Sequence, residues 1–114
     1  MIKIYHNPRC RKSREGLEVL ENSGKEFEVI KYLEDVPTKE ALIAVIASLE
    51  ISPEQLVRKN EAIWKEQFKG KLLSDEDIVN AMLAYPKLIE RPIVIFNGKA
   101  VIGRPVSNIK ALLK

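Results

Sequence analysis

The stretch Tyr5-His6-Asn7-Pro8-Arg9-Cys10-Arg11-Lys12-Ser13-Arg14 decides the fold, because it joins a short apolar segment to a helical one. The preceding residues, Met1 to Tyr5, predict a short strand. The following residues, from about Arg11 to Asn22, predict a helix that ends near Gly24. A second strand is predicted from Phe27 to Leu33. Strand, helix and strand in this order are typical of a βαβ unit with parallel strands and a right-handed crossover.

The same stretch holds the single cysteine and the single histidine of the chain, Cys10 and His6. A thiol at the start of a helix meets the positive end of the helix dipole and unpaired backbone N–H groups, and both favour the thiolate. Four cationic side chains flank it in sequence: Arg9, Arg11, Lys12 and Arg14. The alternative is a small buried cysteine without chemistry, which normally has apolar neighbours. We therefore interpret Cys10 as a reactive nucleophile.

The rest of the chain predicts a helical middle and then a return to the sheet. Apolar stripes and two capping boxes, which begin at Ser52 and Ser74, predict the middle helices. Pro92 to Phe96 and Lys99 to Ile102 predict a hairpin around Asn97-Gly98. A last helix is predicted from about Val106 to Leu113.

The predicted order of elements, β-α-β, then helices, then β-β-α, favours an α/β fold with a four-stranded mixed sheet. This arrangement is similar to the thioredoxin-like fold. We expect one domain over residues 1–114, with a core of residues 1–35 and 88–114 and a helical insertion at about residues 36–87. Ligands of open α/β sheets lie outside the carboxyl ends of the strands, where Cys10 is expected.

Composition limits the classes of function. The 114 residues are 46% hydrophobic and 31% charged, as in a globular domain. A net charge of +3 is too small to predict a nucleic-acid partner, but it suits a small anion. No apolar run approaches the roughly 20 residues of a membrane helix, and no signal-peptide segment is recognised, so we expect a cytoplasmic protein with a reduced cysteine and no membrane partner. One histidine and no carboxylate cluster predict no metal site.

Three arginines, Arg58, Arg91 and Arg104, stand beside turn or cap signals. On the predicted sheet, Arg91 and Arg104 are expected near the end that holds Cys10. The planar guanidinium can donate two hydrogen bonds to two oxygens of a tetrahedral oxyanion. The alternative is a solvated surface side chain, which is the commoner state of any single arginine. Pro92 is a candidate cis-proline, although the sequence does not decide between the two isomers.

Two further side chains are candidates for tuning the thiol. Ser13 follows Cys10 by one helical turn, where its hydroxyl can reach the thiolate; the alternative is a first-turn serine without a role. A protonated His6 would lower the pKa of Cys10; the alternative is that it closes the turn.

The loop from Tyr5 to Arg14 resembles the active-site loop of the glutaredoxin-coupled arsenate reductases of the ArsC/Spx superfamily. The resemblance continues, in the same order over nearly the whole chain, in Asn22-Ser23-Gly24, Tyr32-Leu33-Glu34, Leu56-Val57-Arg58-Lys59-Asn60-Glu61, Ile89-x-Arg91-Pro92-Ile93-Val94 and Gly103-Arg104-Pro105. This superfamily has a thioredoxin-like fold and also includes Spx-type transcription regulators.

The resemblance implies a reaction in arsenic detoxification in which Cys10 attacks arsenate and forms a thiol–arsenate adduct. It assigns oxyanion binding to Arg58, Arg91 and Arg104, and thiol tuning to His6, Ser13 and Arg14. It implies no bound cofactor: glutathione, a co-substrate, attacks the adduct, and glutaredoxin takes up the mixed disulfide with release of arsenite. The single cysteine agrees with this scheme, because an external thiol must supply the second sulfur.

Departures from the family pattern leave two alternatives open. Arg11 and Lys12 stand where reductases of this type usually have small residues. One alternative is an Spx-like regulator that binds RNA polymerase, and the other is a glutathione-dependent thiol reductase with another substrate. Many Spx-type proteins use a Cys-x-x-Cys switch, whose second position is Ser13 here. This serine and the complete set of arginines favour the enzyme.

Overall fold

The computed structural model describes residues 1–114 and divides them into two compact units. The first unit consists of residues 1–35 and 91–114, and the second of residues 36–90. The helices are α1 (Arg11–Asn22), α2 (Lys39–Leu49), α3 (Ala62–Gln67), α4 (Asp75–Ala84) and α5 (Ser107–Leu112). None of them is both long enough and apolar enough to cross a membrane.

A four-stranded mixed sheet forms the centre of the first unit. Its strands are β1 (Ile2–Tyr5), β2 (Phe27–Ile30), β3 (Ile93–Phe96) and β4 (Lys99–Ile102). The order across the sheet is β2-β1-β3-β4, in which β1 and β2 are parallel and β3 is antiparallel to both β1 and β4. The predicted α/β class, the mixed sheet and the parallel βαβ unit are therefore confirmed.

The core of the first unit packs α1 and α5 against the sheet. Ile2 and Ile4 point to the same face of β1, because side chains alternate along a strand. They form a cluster with Leu20 of α1, Val94 of β3 and Ile109 of α5, and each of these side chains is at most 2% exposed. Full burial of such a side chain contributes about 1.5–3 kcal/mol. This packing fixes the start of α1, and with it Cys10, beyond the carboxyl end of β1.

Two glycines allow the chain to approach Pro92 closely. A Cβ atom on Gly16 of α1 would lie 2.9 Å from Pro92 Cγ and 3.0 Å from Ile109 Cδ1. One on Gly103 would lie 2.7 Å from Ile109 Cδ1 and 2.8 Å from Pro92 Cγ. Neither position has room for a side chain. The segment after β4 and the first half of α1 therefore both meet at Pro92, next to Arg91.

Some boundaries differ from the prediction. The strand β2 ends at Ile30 rather than Leu33, because the carbonyl of Lys31 accepts the N–H groups of Glu34 and Asp35 at 3.0 and 2.8 Å and turns the chain. The strand β3 begins after Pro92, which has no N–H for the ladder. The last helix is shorter by one residue at each end than predicted.

The predicted hairpin at Asn97-Gly98 is confirmed. Both residues have positive φ angles, 53° and 75°, as the tight two-residue turn between β3 and β4 requires.

The second unit is helical, as predicted. Thr38 Oγ1 accepts the N–H of Ala41 at 3.1 Å at the start of α2. The capping box of α4 is formed, since Ser74 Oγ accepts the N–H of Asp77 at 3.1 Å and Asp77 Oδ2 accepts the N–H of Ser74 at 3.0 Å. The apolar faces of α2 and α4 are buried at Leu42, Val45, Ile46, Ile78, Val79, Ala81 and Met82. Short 3-10 helices at Pro53–Leu56 and Pro86–Leu88 pack against α4.

Candidate active site around Cys10

Cys10 is the N-cap residue of α1, with extended backbone angles of −96° and 123°. Its side chain is half-buried. The backbone N–H groups of Lys12 and Ser13, in the first turn of the helix, lower the pKa of its thiol, although neither closes a side-chain cap hydrogen bond. The helix leaves these N–H groups without an internal partner, so they favour a negative charge on the sulfur.

Two arginines from the other end of the first unit reach the same sulfur. Arg104 Nη2 donates to Cys10 Sγ at 3.3 Å, and Arg104 Nε donates to the carbonyl oxygen of Arg91 at 2.8 Å. The guanidinium of Arg91, through hydrogen bonding and its positive charge, also lowers the pKa of the Cys10 thiol. The Arg91–Pro92 and Arg104–Pro105 peptide bonds are both cis. The structure thus brings Cys10, Arg91 and Arg104 together in one place.

The surroundings of Cys10 favour the thiolate. Burial by itself raises the pKa of the Cys10 thiol, because a charged group is less stable away from water. The Ser13 N–H, the hydrogen bond and positive charge of Arg91, and the Lys12 N–H act in the opposite direction and together hold the pKa below its ordinary value of 9.0. Thiolate is the nucleophilic form of cysteine, so this site is suited to attack on an anion held by the arginines.

A buried polar cluster lies under the loop that carries Cys10. His6, Asn7 and Ser13 are 4%, 9% and 0% exposed. His6 Nδ1 lies 2.7 Å from Ser13 Oγ, and the N–H of Asn7 donates to the same oxygen at 3.0 Å. The hydroxyl of Ser13 is therefore engaged with His6 and Asn7, and it is the backbone N–H of Ser13 that lowers the pKa of Cys10.

His6 is the neutral partner in this cluster. Burial lowers its pKa below the ordinary 6.5, and this effect outweighs the hydrogen bond to Ser13, which raises the pKa. The nearby charges of Lys31 and Arg14 act in the same direction as burial, and that of Glu21 opposes them. The positive charge that favours the thiolate therefore comes from the arginines rather than from a protonated His6.

Asn7 and Arg14 hold the loop itself. Asn7 Oδ1 accepts the N–H of Arg9 and its carbonyl accepts the N–H of Cys10, both at 3.0 Å. Arg14 Nη1 donates to the carbonyl of Pro8 at 3.0 Å, so its guanidinium binds the loop backbone. Asn7 is not among the predicted site residues, although an asparagine before a proline is a turn signal that could have found it.

The two cations that follow Cys10 in sequence, Arg11 and Lys12, point along the outside of α1. Arg11 Nε lies 3.5 Å from Glu15 Oε1, and Lys12 Nζ lies 3.7 Å from Glu15 Oε2. The side chains of Arg11 and Lys12 are 85% and 53% exposed. Such exposed pairs contribute little stability, about 0.3–0.5 kcal/mol each. Their charges are partly balanced by Glu15.

Arg58 belongs to the second unit. An antiparallel bridge joins Val57 to Ile89, and the N–H of Arg58 donates to Leu88 O at 2.7 Å. This pairing sets Arg58 Nε 3.6 Å from Glu90 Oε1, while Arg58 Nη1 lies 3.9 Å from Glu61 Oε2. Two carboxylates therefore hold this guanidinium, which is 24% exposed. No group of three or more His, Cys, Asp or Glu side chains is placed to hold a metal ion.

Comparisons with known proteins agree on one family. The profile of the ArsC family matches residues 5–112. The chain is 46% identical over 112 residues to YfgD of Escherichia coli K12, a protein described as uncharacterized. The alignment spans 95% of this chain and 92% of that one. It is 41% identical over 114 residues to the arsenate reductase of Neisseria meningitidis serogroup A, with 98% and 97% of the two chains aligned. The solved structure of an arsenate reductase from Vibrio cholerae superposes with a TM-score of 0.92 at 45% identity, over 96% of this chain and 95% of that one.

Proposed function

The chain belongs to the ArsC family, and we propose that it is a cytoplasmic enzyme that reduces arsenate to arsenite at Cys10. The observation that carries this proposal is the contact of Arg104 Nη2 with Cys10 Sγ, at 3.3 Å, at a thiol whose pKa Arg91 and two helix N–H groups also lower. An uncharged thiol needs no such set of donors, whereas a thiolate that attacks an oxyanion does. Relatives named arsenate reductase at 41–45% identity support the same reaction class.

The proposed first step is attack of the Cys10 thiolate on the arsenic atom of arsenate. An As–S bond forms and an As–O bond breaks, and the leaving oxygen takes up protons and departs as water. The remaining oxygens are bound by Arg91 and Arg104, whose guanidinium groups suit a tetrahedral oxyanion. The family resemblance gives Arg58 the same role, which stays a prediction.

The proposed second step needs an external thiol, because the chain has a single cysteine. Glutathione attacks the adduct, and the two sulfurs together transfer two electrons to arsenic. Arsenite leaves, and Cys10 remains in a mixed disulfide with glutathione. Glutaredoxin then takes up the glutathione by thiol–disulfide exchange and restores the Cys10 thiol.

Three residues are proposed to tune the thiol without binding arsenate. Ser13 acts through its backbone N–H, and His6 acts by holding the Ser13 hydroxyl at 2.7 Å. Arg14 acts by fixing the carbonyl of Pro8 and thus the loop before Cys10.

Arsenite formation from arsenate, with purified protein, glutathione and glutaredoxin, tests the proposal. We expect turnover that is lost in Cys10→Ser and retained in Arg11→Ala, whose side chain points to Glu15. Absence of turnover, with a thiol that still reacts with iodoacetamide, would exclude arsenate as the substrate. Turnover of a generic glutathione mixed disulfide, or binding to the C-terminal domain of the RNA polymerase α-subunit, would then identify one of the two alternatives.

A further inference from the structure

Arg104 reaches Cys10 from the tight turn Gly103-Arg104-Pro105 that follows β4. The N–H of Gly103 donates to the carbonyl of Pro92 at 2.8 Å, which ties the start of this turn to the sheet. Arginine has a long side chain that loses considerable rotamer freedom when it is held in one place. A contact between its guanidinium and the sulfur therefore depends on how firmly the main chain of Arg104 is fixed.

Asn108, in the first turn of α5, is the side chain that binds this main chain. Its Nδ2 donates to the carbonyl of Ile102 at 3.0 Å and to the carbonyl of Arg104 at 3.4 Å. Carbonyl oxygens only accept hydrogen bonds, so the amide nitrogen of Asn108 must be the atom that faces them. The backbone N–H of Asn108 donates to Pro105 O at 3.0 Å. Asn108 therefore holds the turn on both sides of Gly103 and at Pro105.

We propose that Asn108 is a positioning residue, whose side-chain amide fixes the main chain of Arg104 so that the guanidinium meets both Cys10 Sγ and the carbonyl of Arg91. The side-chain hydrogen bonds of Asn108 go to main-chain carbonyls rather than to the sulfur, so Asn108 acts through Arg104. Its amide group is suited to the task because one neutral NH2 carries two donors for two carbonyls. The inference rests on the thiol-centred site of the proposed function, but not on arsenate as the substrate.

The pKa of Cys10, measured from the pH dependence of alkylation by iodoacetamide, tests this inference. Asn108→Ala and Asn108→Leu both remove the donor, and leucine keeps the branched shape of asparagine without adding charge. Each is made in the wild-type chain and in Arg104→Ala. Asn80→Ala, at an exposed position of α4, is the matched control.

We expect both Asn108 variants to raise the pKa of Cys10 by about half a unit to one unit, a roughly 3- to 10-fold loss of thiolate at a pH below the pKa. In the Arg104→Ala background the same substitutions should shift the pKa of Cys10 by less than about 0.2 units, because the guanidinium that Asn108 positions is absent. Asn80→Ala should have no effect.

Two results would overturn the inference. One is a wild-type pKa in the Asn108 variants, even if their melting temperatures fall, since Asn108 would then only support the fold. The other is an equal pKa shift with and without Arg104, since Asn108 would then not act through it. If the leucine variant does not fold, the alanine variant decides. Loss of arsenate turnover with unchanged thiol chemistry would concern the proposed function alone.

Discussion

Substitution of Arg104 by alanine is the perturbation whose effect follows most directly from the geometry. Arg104 Nη2 donates to Cys10 Sγ at 3.3 Å, and the residue is only partly exposed. A hydrogen bond to a charged group contributes about 1.5–3 kcal/mol. We take the lower end, because the bond is long and water can replace part of it.

The expected change is an upward shift of the Cys10 pKa by about one unit. A loss of about 1.5 kcal/mol of interaction with the thiolate corresponds to this shift, at 1.36 kcal/mol per unit. The sign follows because Arg104 interacts with the charged form, so its removal disfavours the thiolate. Arg91 and the two helix N–H groups remain, so the pKa should stay below that of a cysteine in the unfolded chain.

The assay is the full pH profile of alkylation, or of thiolate absorbance in the ultraviolet, rather than a rate at one pH. A thiolate of higher pKa is also intrinsically more nucleophilic, so a single rate would understate the shift. Arg11→Ala is the control, because Arg11 is adjacent to Cys10 in sequence but pairs with Glu15. A wild-type Cys10 pKa in Arg104→Ala, or an equal shift in Arg11→Ala, would show that the contact of Arg104 with the sulfur does not stabilise the thiolate.

Three further predictions follow from the buried contacts. Gly16→Ala should lower the free energy of unfolding in urea by about 1–3 kcal/mol, because the added Cβ would lie 2.9 Å from Pro92 Cγ. An unchanged free energy of unfolding would show that Pro92 shifts to make room for the Cβ. Ser13→Ala should lower the free energy of unfolding by about 1–3 kcal/mol, because the buried N–H of Asn7 loses its acceptor. It should raise the Cys10 pKa by only about 0.3 units, because the Ser13 N–H remains although His6 no longer holds the residue. In the folded chain burial holds the pKa of His6 below 6.5, so only the unfolded chain gains its proton just below that pH. Stability should therefore fall as the pH drops through this range, and His6→Gln should remove this part of the fall in pH-dependent unfolding.

Much of the fold of the first unit could be predicted because local signals and long-range packing agree there. The helix α1 begins at Arg11 and ends at Asn22, as the pattern predicts, and Gly24 has a φ of +75° beyond its end. The Asn97-Gly98 turn was predictable because few other residues adopt two successive positive φ angles. The strand β2 was predicted too long, since composition does not show that Lys31 accepts the hydrogen bonds that turn the chain. That residues 36–87 form an insertion within one domain stays a prediction.

For the candidate site, only the closeness of Cys10, Arg91 and Arg104 could be predicted from the sequence. The strand order implied that Arg91 and Arg104 lie near Cys10, because all three adjoin neighbouring strands at one end of the sheet. The sequence did not show how the polar groups pair. A serine one turn after a cysteine predicts a hydrogen bond from its hydroxyl to the sulfur. Here the hydroxyl of Ser13 instead hydrogen-bonds with His6 and with the N–H of Asn7. Nor does the pattern distinguish Asn108 from other polar helix residues, because its partners are backbone carbonyls.

Reduction of arsenate by Cys10 together with one external thiol is the step to test first, by intact-mass spectrometry without glutaredoxin. The protein is incubated with glutathione in the presence and absence of arsenate, beside Cys10→Ser. In the proposed mechanism glutaredoxin removes the glutathione, so we expect one glutathione to accumulate on the wild-type chain only when arsenate is present, and none on Cys10→Ser. A protein that stays unmodified, or that gains glutathione equally without arsenate, would contradict it.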